Sequence, residues 1–502
     1  MVNVASLVWR NADTGPSRPA VGSDSLELTF GQLREAGGRV AAAVRAAGLK
    51  PLDRVVLMAP TVPEFPIVYY GLHTAGVTVV TLNTMATTAE IAYVLDDARP
   101  SLVMAWDGLP DSGAAAATAA GAAGVPLWRI GRGAHFGAPP QPGVWEHRPE
   151  DTSAILYTSG SSGRPKGAEL TAANLVANAE AFSTVLGVGP GDRLGTALPL
   201  SHVYGQAAIM NTTLAAGASL RLLRRFEPRA MLELVRDHRL TAVGAVPTMW
   251  IAMLREADAF RPEDFARFRF GTSGGAALPV EVLRAWRERF GCTVLDGYGL
   301  SETTGVVAFN DIRRPRAGTV GVALPGAELQ IRKHGAVLRP GEVGEVYVRG
   351  ATVMKGYWNK PEATRSELSD GWLRTGDLGS VDAEGYLTIV GRSKELIIRG
   401  GYNIYPREIE EVLYRHPDIT EAAVVGVPDD YYGEEVGAVV TLRPGAVPDP
   451  EALGGWARSQ LPAYKVPRLF AFVDALPKGP TGKILKRAID PGVLRGPAGR
   501  SH

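Results

Sequence analysis

The sequence predicts an α/β protein: a large N-terminal domain of layered α/β sheets plus a small β-rich subdomain, followed by a small α+β C-terminal domain. Three observations predict it. Between Leu33 and about residue 300, helical patterns alternate with short β-branched or apolar runs, the signature of parallel α/β layers. After about Gly318 the strands shorten and Gly-rich turns separate them. Beyond Gly391 the order becomes strand, helix, strand, strand, helix.

In chain order, the runs 55–58, 77–80, 102–105, 154–156, 219–223, 241–246 and 293–295 read as buried strands of the large domain. The segment 113–124 is nearly all Ala and Gly, and 138–143 is rich in Pro. Both read as surface connections, so that the stretch after them opens a second half of the large domain. Residues 329–332, 345–349 and 386–390 read as the strands of the β-rich subdomain. In the last hundred residues Pro406 fits a first helical position, Ile409, Val412 and Leu413 form one apolar stripe, and 424–427 and 436–442 read as strands. No internal period suggests a repeat architecture.

A chain of 502 residues exceeds one core, and roughly two or three folding units are expected. Its 53 basic and 52 acidic residues balance, which argues against a nucleic-acid or membrane surface built on net charge. Residues 1–19 lack the apolar core of a signal peptide, and no run approaches the ~18 to 20 apolar residues of a membrane-spanning helix. The single cysteine, Cys292, cannot form an internal disulfide and reads as a buried structural thiol. A cytoplasmic location is the expectation.

The chemistry concentrates in five clusters. The first, residues 157–167, reads Tyr-Thr-Ser-Gly-Ser-Ser-Gly-Arg-Pro-Lys-Gly between the apolar run 154–156 and a helical segment starting near Thr171. Strand, Gly/Ser loop and helix form a geometry in which backbone N–H groups and hydroxyls surround a polyphosphate. Gly160, Gly163 and Gly167 let the main chain approach, Thr158, Ser159, Ser161 and Ser162 offer hydroxyls, and Lys166 supplies a mobile positive charge. No Gly-Lys pair is followed directly by Ser or Thr, so this is not a Walker loop. Alone, it fits a flexible linker as well.

The second cluster is Gly297-Tyr298-Gly299-Leu300-Ser301-Glu302-Thr303, at the end of a strand, where open α/β sheets place ligands. Tyr298 can stack on a base, Ser301 and Thr303 can donate to phosphate oxygens, and Glu302 is a hard oxygen ligand suited to Mg²⁺. The third, Trp372 through Asp377, brings a carboxylate out of a Gly turn, where it could take both ribose hydroxyls or serve the turn alone. The fourth, Gly391 through Gly401, is a charged joint leading into an apolar strand and a Gly pair. The fifth, Pro477 through Lys483, is a Gly/Pro loop that pins a lysine near the C-terminus.

All five, in this order, resemble the adenylate-forming superfamily, and over essentially residues 1–490 the chain is similar to its acyl-CoA synthetases. The resemblance implies an N-terminal AMP-binding domain of residues 1–391, a hinge at 392–394 and a mobile C-terminal domain of residues 395–502. It implies ATP, Mg²⁺ and CoA as reactants or cofactors. Thr158, Ser159, Gly160, Ser161, Ser162, Gly163 and Lys166 would hold the β- and γ-phosphates. Gly274, Gly275, Ala276 and Tyr298 would bracket adenine, and Gly299 would belong to the ATP/AMP site. Ser301, at a position usually Thr, would contact the α-phosphate, Glu302 would bind Mg²⁺, and Asp377 and Arg392 would hold the ribose. His202 would guard the substrate carboxylate and thiol entrance, Lys394 would be the hinge, and Gly400 and Gly401 would line the pantetheine tunnel. Taken alone, a His among apolar residues is also a core residue. Ile398 stands where the luciferase and coumarate-ligase branch often has a second lysine, so that lysine's role does not transfer.

The mechanism follows from charge. A carboxylate attacking an α-phosphate brings two anions together, so negative charge must be spread over Lys483, loop N–H groups and Mg²⁺. Acyl-AMP and pyrophosphate result, and a thiol then attacks the mixed anhydride. The acyl pocket is expected around His202, Val203, Tyr204, Gly205, Val246, Gly299 and Gly305. The segments 203–205, 245–247 and 303–309 contain no charged residue, and a second carboxylate left unpaired there would cost several kcal/mol. A monocarboxylic acid follows, with Gly205 and Gly305 leaving length for a medium or long alkyl chain. Malonate-activating relatives place an Arg before the Tyr of the second cluster, where this chain has Gly297.

Aryl acids such as cinnamates stay open as substrates. Ser201, His202 and Val203 offer no Asp for a substrate amine, which disfavours amino acids. The stretch 372–408 has no extra segment of the kind found in ligases that feed carrier proteins, so CoA is the better thiol, although an acyl carrier protein's phosphopantetheine arm presents the same group. A non-enzymatic binding protein would be expected to have lost Lys483 or Glu302.

Overall fold

The computed structural model describes residues 2–494 apart from 109, 133–135, 141–142, 159–163 and 480. Two extended sheets form the large N-terminal part. In the first, strands Leu127–Ile130, Leu102–Trp106, Arg54–Met58, Thr78–Thr81 and Thr152–Thr158 lie side by side and parallel, followed by Lys166–Thr171 and Gly356–Tyr357, which run antiparallel. In the second, Pro19–Gly22, Ser219–Leu222, Arg193–Thr196, Ala242–Ala245, Phe270–Ser273 and Thr293–Tyr298 are parallel, with short antiparallel strands at both edges. These parallel strands read as continuous apolar runs because both faces are covered. Helix Glu64–Ala75 is buried along its whole length, and its apolar residues belong to the main core together with those of both sheets.

Local sequence sets the helix ends. Thr29 with Gln32, Thr87 with Glu90 and Thr171 with Asn174 form reciprocal caps at three N-termini. The strands expected at 55–58, 77–80, 102–105, 154–156, 219–223, 241–246 and 293–295 are all present within two residues of those limits, except that the last extends to Tyr298.

Three expectations about the first sheet need correction. The Ala/Gly stretch expected as a connection is helix Pro110–Ala123, with Ala116, Ala119 and Ala120 buried against the first sheet. Alanine is the strongest helix former, and small residues at this spacing let a helix sit close to a sheet. The candidate phosphate loop does not run from strand to helix. Thr152–Thr158 pairs antiparallel with Lys166–Thr171, and helix Ala172–Leu186 begins only after that second strand. This hairpin extends the first sheet beside Thr78–Thr81 and therefore does not open a second half of the domain.

The β-rich part is a third sheet, centred on Ala327–Lys333, Gly344–Gly350, Trp372–Val381 and Leu387–Arg392. Asp377 lies inside the ten-residue strand Trp372–Val381, where Gly376 adopts φ +73, so it follows a kink in a strand and not a turn. The C-terminal part is a fourth sheet, Tyr402–Ile404, Ile397–Arg399, Gly433–Leu442 and Ile419–Asp429, with Leu469–Phe472 added parallel. Helix Pro406–Tyr414 packs on it through Ile409, Val412 and Leu413, in a cluster separate from the main core. Cys292 is 7% exposed, and burial pushes its thiol up to about 12, as suits a structural thiol. Among the described residues no helix is long and apolar enough to cross a membrane.

Candidate active site

A cavity of about 220 Å³ opens where the second, third and fourth sheets meet, and Val246, Gly275, Tyr298, Asp377, Arg392 and Lys483 are among its walls. Tyr298 is the last residue of strand Thr293–Tyr298. A Cβ on Gly299 would stand 2.0 Å from the Gly305 carbonyl oxygen, so only glycine lets the chain fold back here into the short turn Ser301–Thr303. Gly299 and Gly297 also line the cavity, and a Cβ on Gly297 would meet the Phe309 ring at 2.5 Å. Gly274, Gly275 and Ala276 follow strand Phe270–Ser273, with Gly275 at φ +81.

Asp377 and Arg392 are direct partners across antiparallel strands. The Tyr298 hydroxyl donates to Asp377 Oδ2 at 2.7 Å, and Arg392 Nε lies 3.0 Å from Oδ1. Asp377 is 4% exposed, and its carboxylate holds the Arg392 guanidinium still more firmly protonated. The unit presents a fixed acceptor beside an aromatic face.

Lys483 arrives from the C-terminal part. Its carbonyl accepts from Gly479 N at 2.8 Å, Gly482 takes φ +83, and Thr248 Oγ1 of the large part donates to the Gly482 carbonyl at 3.0 Å. Burial, then the Arg392 charge, lowers the Lys483 ammonium from its usual range, while Asp377 and Glu395 oppose that shift. His202 is half-buried, with Nδ1 accepting from Tyr204 N at 3.3 Å. Burial, then the Lys483 charge, lowers it to about 4, so the imidazole is neutral near pH 7.

Glu302 anchors a second group. Tyr357 donates its hydroxyl to Glu302 Oε1 at 2.9 Å and also lies 2.5 Å from Glu367 Oε2. Lys166 Nζ is 2.6 Å from Glu367 Oε1 and 4.0 Å from the centre of the Tyr357 ring. Burial raises the Glu302 carboxyl. Among the described residues no group of three or more His, Cys, Asp or Glu could itself hold a metal ion. One half-buried carboxylate suits a Mg²⁺ whose remaining ligands are phosphate oxygens and water.

Thr158 stands at the end of its strand, with Oγ1 donating to the Lys166 carbonyl at 3.3 Å. Ser159, Gly160, Ser161, Ser162 and Gly163 lie outside the described residues. Ser301 is half-buried in the turn beside Glu302. Lys394 is exposed in the single turn Ser393–Glu395, and Gly400 and Gly401, at φ +55 and +84, join Ile397–Arg399 to Tyr402–Ile404 away from the cavity walls. Val203, Tyr204 and Gly205 enter a π-helix, Tyr204–Asn211, and the Tyr204 hydroxyl lies 3.0 Å from Thr272 Oγ1. Gly205 has a different reason from the one expected. Its Cβ would stand 2.4 Å from the Pro199 carbonyl oxygen, so its small size serves backbone packing and not alkyl-chain length. A Cβ on Gly305 would face Val203 and Ala207 at 3.4–3.6 Å.

Residues 8–358 match the AMP-binding enzyme family, and residues 408–483 match the AMP-binding enzyme C-terminal domain. The chain belongs to that family. Its relatives include the long-chain-fatty-acid–CoA ligase of Bacillus subtilis, 36% identical over 96% of this chain and 93% of that one. Another is the sulfoacetate–CoA ligase of Cupriavidus necator, 37% identical over 96% of each. The ATP-bound crystal structure of MatB from Rhodopseudomonas palustris superposes with a TM-score of 0.89 at 34% identity, covering 97% of this chain and 98% of that one. The protein is an acid–thiol ligase of the acyl-CoA synthetase type. Sequence reasoning about this ligase missed Tyr357, Glu367 and Thr248, because their importance lies in partners 55, 201 and 234 residues away.

Proposed function

We propose that this ligase activates a monocarboxylic acid with an apolar tail to its acyl-AMP, releasing pyrophosphate, and then passes the acyl group to the thiol of CoA. The observation that carries the reading is Lys483, which lines the same cavity as Tyr298, Asp377 and Arg392 although it comes from the far end of the chain. Asp377 and Arg392 would hold the ribose and Tyr298 would stack on adenine, with Gly274, Gly275 and Ala276 beside it. Ser301 would contact the α-phosphate, and Thr158 and Lys166 the outer phosphates. Glu302 would hold Mg²⁺, which when bound neutralises phosphate charge. Neutral His202 can sit beside the incoming carboxylate without adding a competing cation. Lys483 offsets the charge that builds on the α-phosphate as the carboxylate attacks.

The thiol must then reach the same carbonyl. In this reading residues 395–502 turn about a hinge at 392–394, withdrawing Lys483 and bringing Gly400 and Gly401 to the pantetheine path. The acyl tail would lie among Val203, Tyr204, Val246, Gly299 and Gly305. None of these carries a charge, so a second anionic group would go unpaired at a cost of several kcal/mol. Pyrophosphate release and CoA-ester formation across acetate, octanoate, cinnamate, malonate and sulfoacetate test the acid class. Octanoate or cinnamate is expected to lead in kcat/KM. A tenfold advantage for malonate or sulfoacetate would overturn the apolar pocket.

A further inference from the structure

Helix Val280–Phe290, which follows the Gly274–Ala276 segment, has Pro279 at its N-cap and no capping side chain there. Its acceptor comes from the C-terminal part: Val280 N donates to Glu411 Oε2 at 3.3 Å. Glu411 lies on helix Pro406–Tyr414. On the same helix, Arg407 Nη1 donates to the carbonyl of Ile389, in the strand Leu387–Arg392 that ends at the ribose-site arginine. Its charge also acts on the buried carboxyl of Asp296, in the strand that ends at Tyr298. Arg407 Nε and Glu411 Oε1 are 3.9 Å apart, and both residues line the cavity that holds Lys483.

We propose that Arg407 and Glu411 are positioning residues, which cap helix Val280–Phe290 and clasp the Ile389 carbonyl so that the C-terminal part keeps Lys483 at the nucleotide. The proposal rests on the two-step reading above. A helix end without a cap of its own leaves N–H groups and a partial positive charge for a carboxylate to satisfy, and that carboxylate belongs to the part proposed to move. The arrangement would therefore favour the adenylation pose through contacts that a rotation of the C-terminal part about 392–394 would break, which is what a shift between two states requires. Each contact is small, as suits a domain that must leave in every cycle.

The test compares acyl-AMP formation without CoA and thioester formation from supplied acyl-AMP and CoA, in the full chain. Glu411→Ala removes the acceptor. Val280→Pro removes the donor from the other side at a first helical position, where proline is favoured, and Pro279 already has the φ −59, ψ 135 of a residue preceding proline. Each change is expected to slow acyl-AMP formation by about threefold to tenfold, the usual worth of a helix cap, while thioester formation is unchanged or faster. Arg407→Ala should show the same split. The Glu411→Ala/Val280→Pro double variant should be no slower than the slower single. Loss of both half-reactions together, no loss in either, or multiplied effects in the double variant would each overturn the proposal. Lys483→Ala run alongside separates the two readings. If it forms acyl-AMP normally, the two-step reading fails. If it does not while the latch variants do, the latch alone fails.

Discussion

In the proposed mechanism Lys483 carries more of the chemistry than any other side chain, and its surroundings fit that role. Burial and the Arg392 guanidinium press its ammonium to lose a proton, while Asp377 and Glu395 hold the proton on. A part-buried cation aimed by a pinned loop needs little reorganisation when charge builds on a phosphate. Lys483→Ala is therefore expected to slow acyl-AMP formation by on the order of 10² or more and to leave thioester formation from supplied acyl-AMP nearly intact. Rapid-quench measurement of both half-reactions checks it, and parallel loss in a folded variant would contradict the division of labour. Gly482 supports the lysine from one residue away. At φ +83, with a Cβ site 3.1 Å from Thr248 Oγ1, it tolerates no side chain without a shift of the loop. Gly482→Ala should lower acyl-AMP formation by about tenfold, through strain of roughly 1–2 kcal/mol that displaces Lys483. The same rapid-quench assay decides, and an unchanged rate would show that the loop is not under that constraint.

Among the elements, the single turn Ser393–Glu395 has the most to do for its size, since it joins the third sheet to the fourth. If the C-terminal part rotates there, backbone torsions within these few residues must change, and proline removes one of them. Lys394→Pro should keep pyrophosphate release and lose acyl-CoA output. Normal rates in both steps would remove the hinge from 392–394. The π-helix Tyr204–Asn211 makes a different point. Gln206 and Asn211 are buried in it, donating to Leu200 O and to the Tyr69 hydroxyl, and a wide helical turn of this kind has no signature in apolar periodicity.

At the scale of the whole molecule, buried histidines contribute stability that weakens on mild acidification, and the buried Asp296 carboxyl, raised to about 7, opposes them. Burial, then neighbouring His147, lowers His73 to about 3, and His202 is lowered to about 4, whereas an unfolded histidine titrates near 6.5. Between those values these histidines bind more protons in the unfolded chain than in the folded one, so their contribution to stability falls as pH falls from about 6.5. His73 alone should remove roughly 1.5 kcal/mol between pH 6.5 and 5. Urea midpoints at the two pH values, compared between the unmodified chain and His73→Leu, check this, with the variant expected to lose less stability, or gain more, on going to pH 5. An identical pH dependence in the two chains would mean that the His73 imidazole is not held neutral.

The sequence by itself determined the α/β class, seven strands of the two large sheets, the β-rich part and the clusters holding Tyr298, Glu302, Asp377, Arg392 and Lys483. Those features are local: burial on both faces writes apolar runs into consecutive residues, and nucleotide chemistry draws Gly, Ser and carboxylates into short loops. Only the tertiary structure decided that the Ala/Gly segment is a helix, that the candidate phosphate loop joins two strands, and that Gly205 packs on Pro199. It also decided which partners complete each group: Tyr357 and Glu367 for Glu302 and Lys166, Thr248 for the Gly482 loop, and Glu411 for an uncapped helix. Each of those contacts joins residues 55 to 234 positions apart, so no window of sequence contains both halves of the interaction that gives either one its meaning.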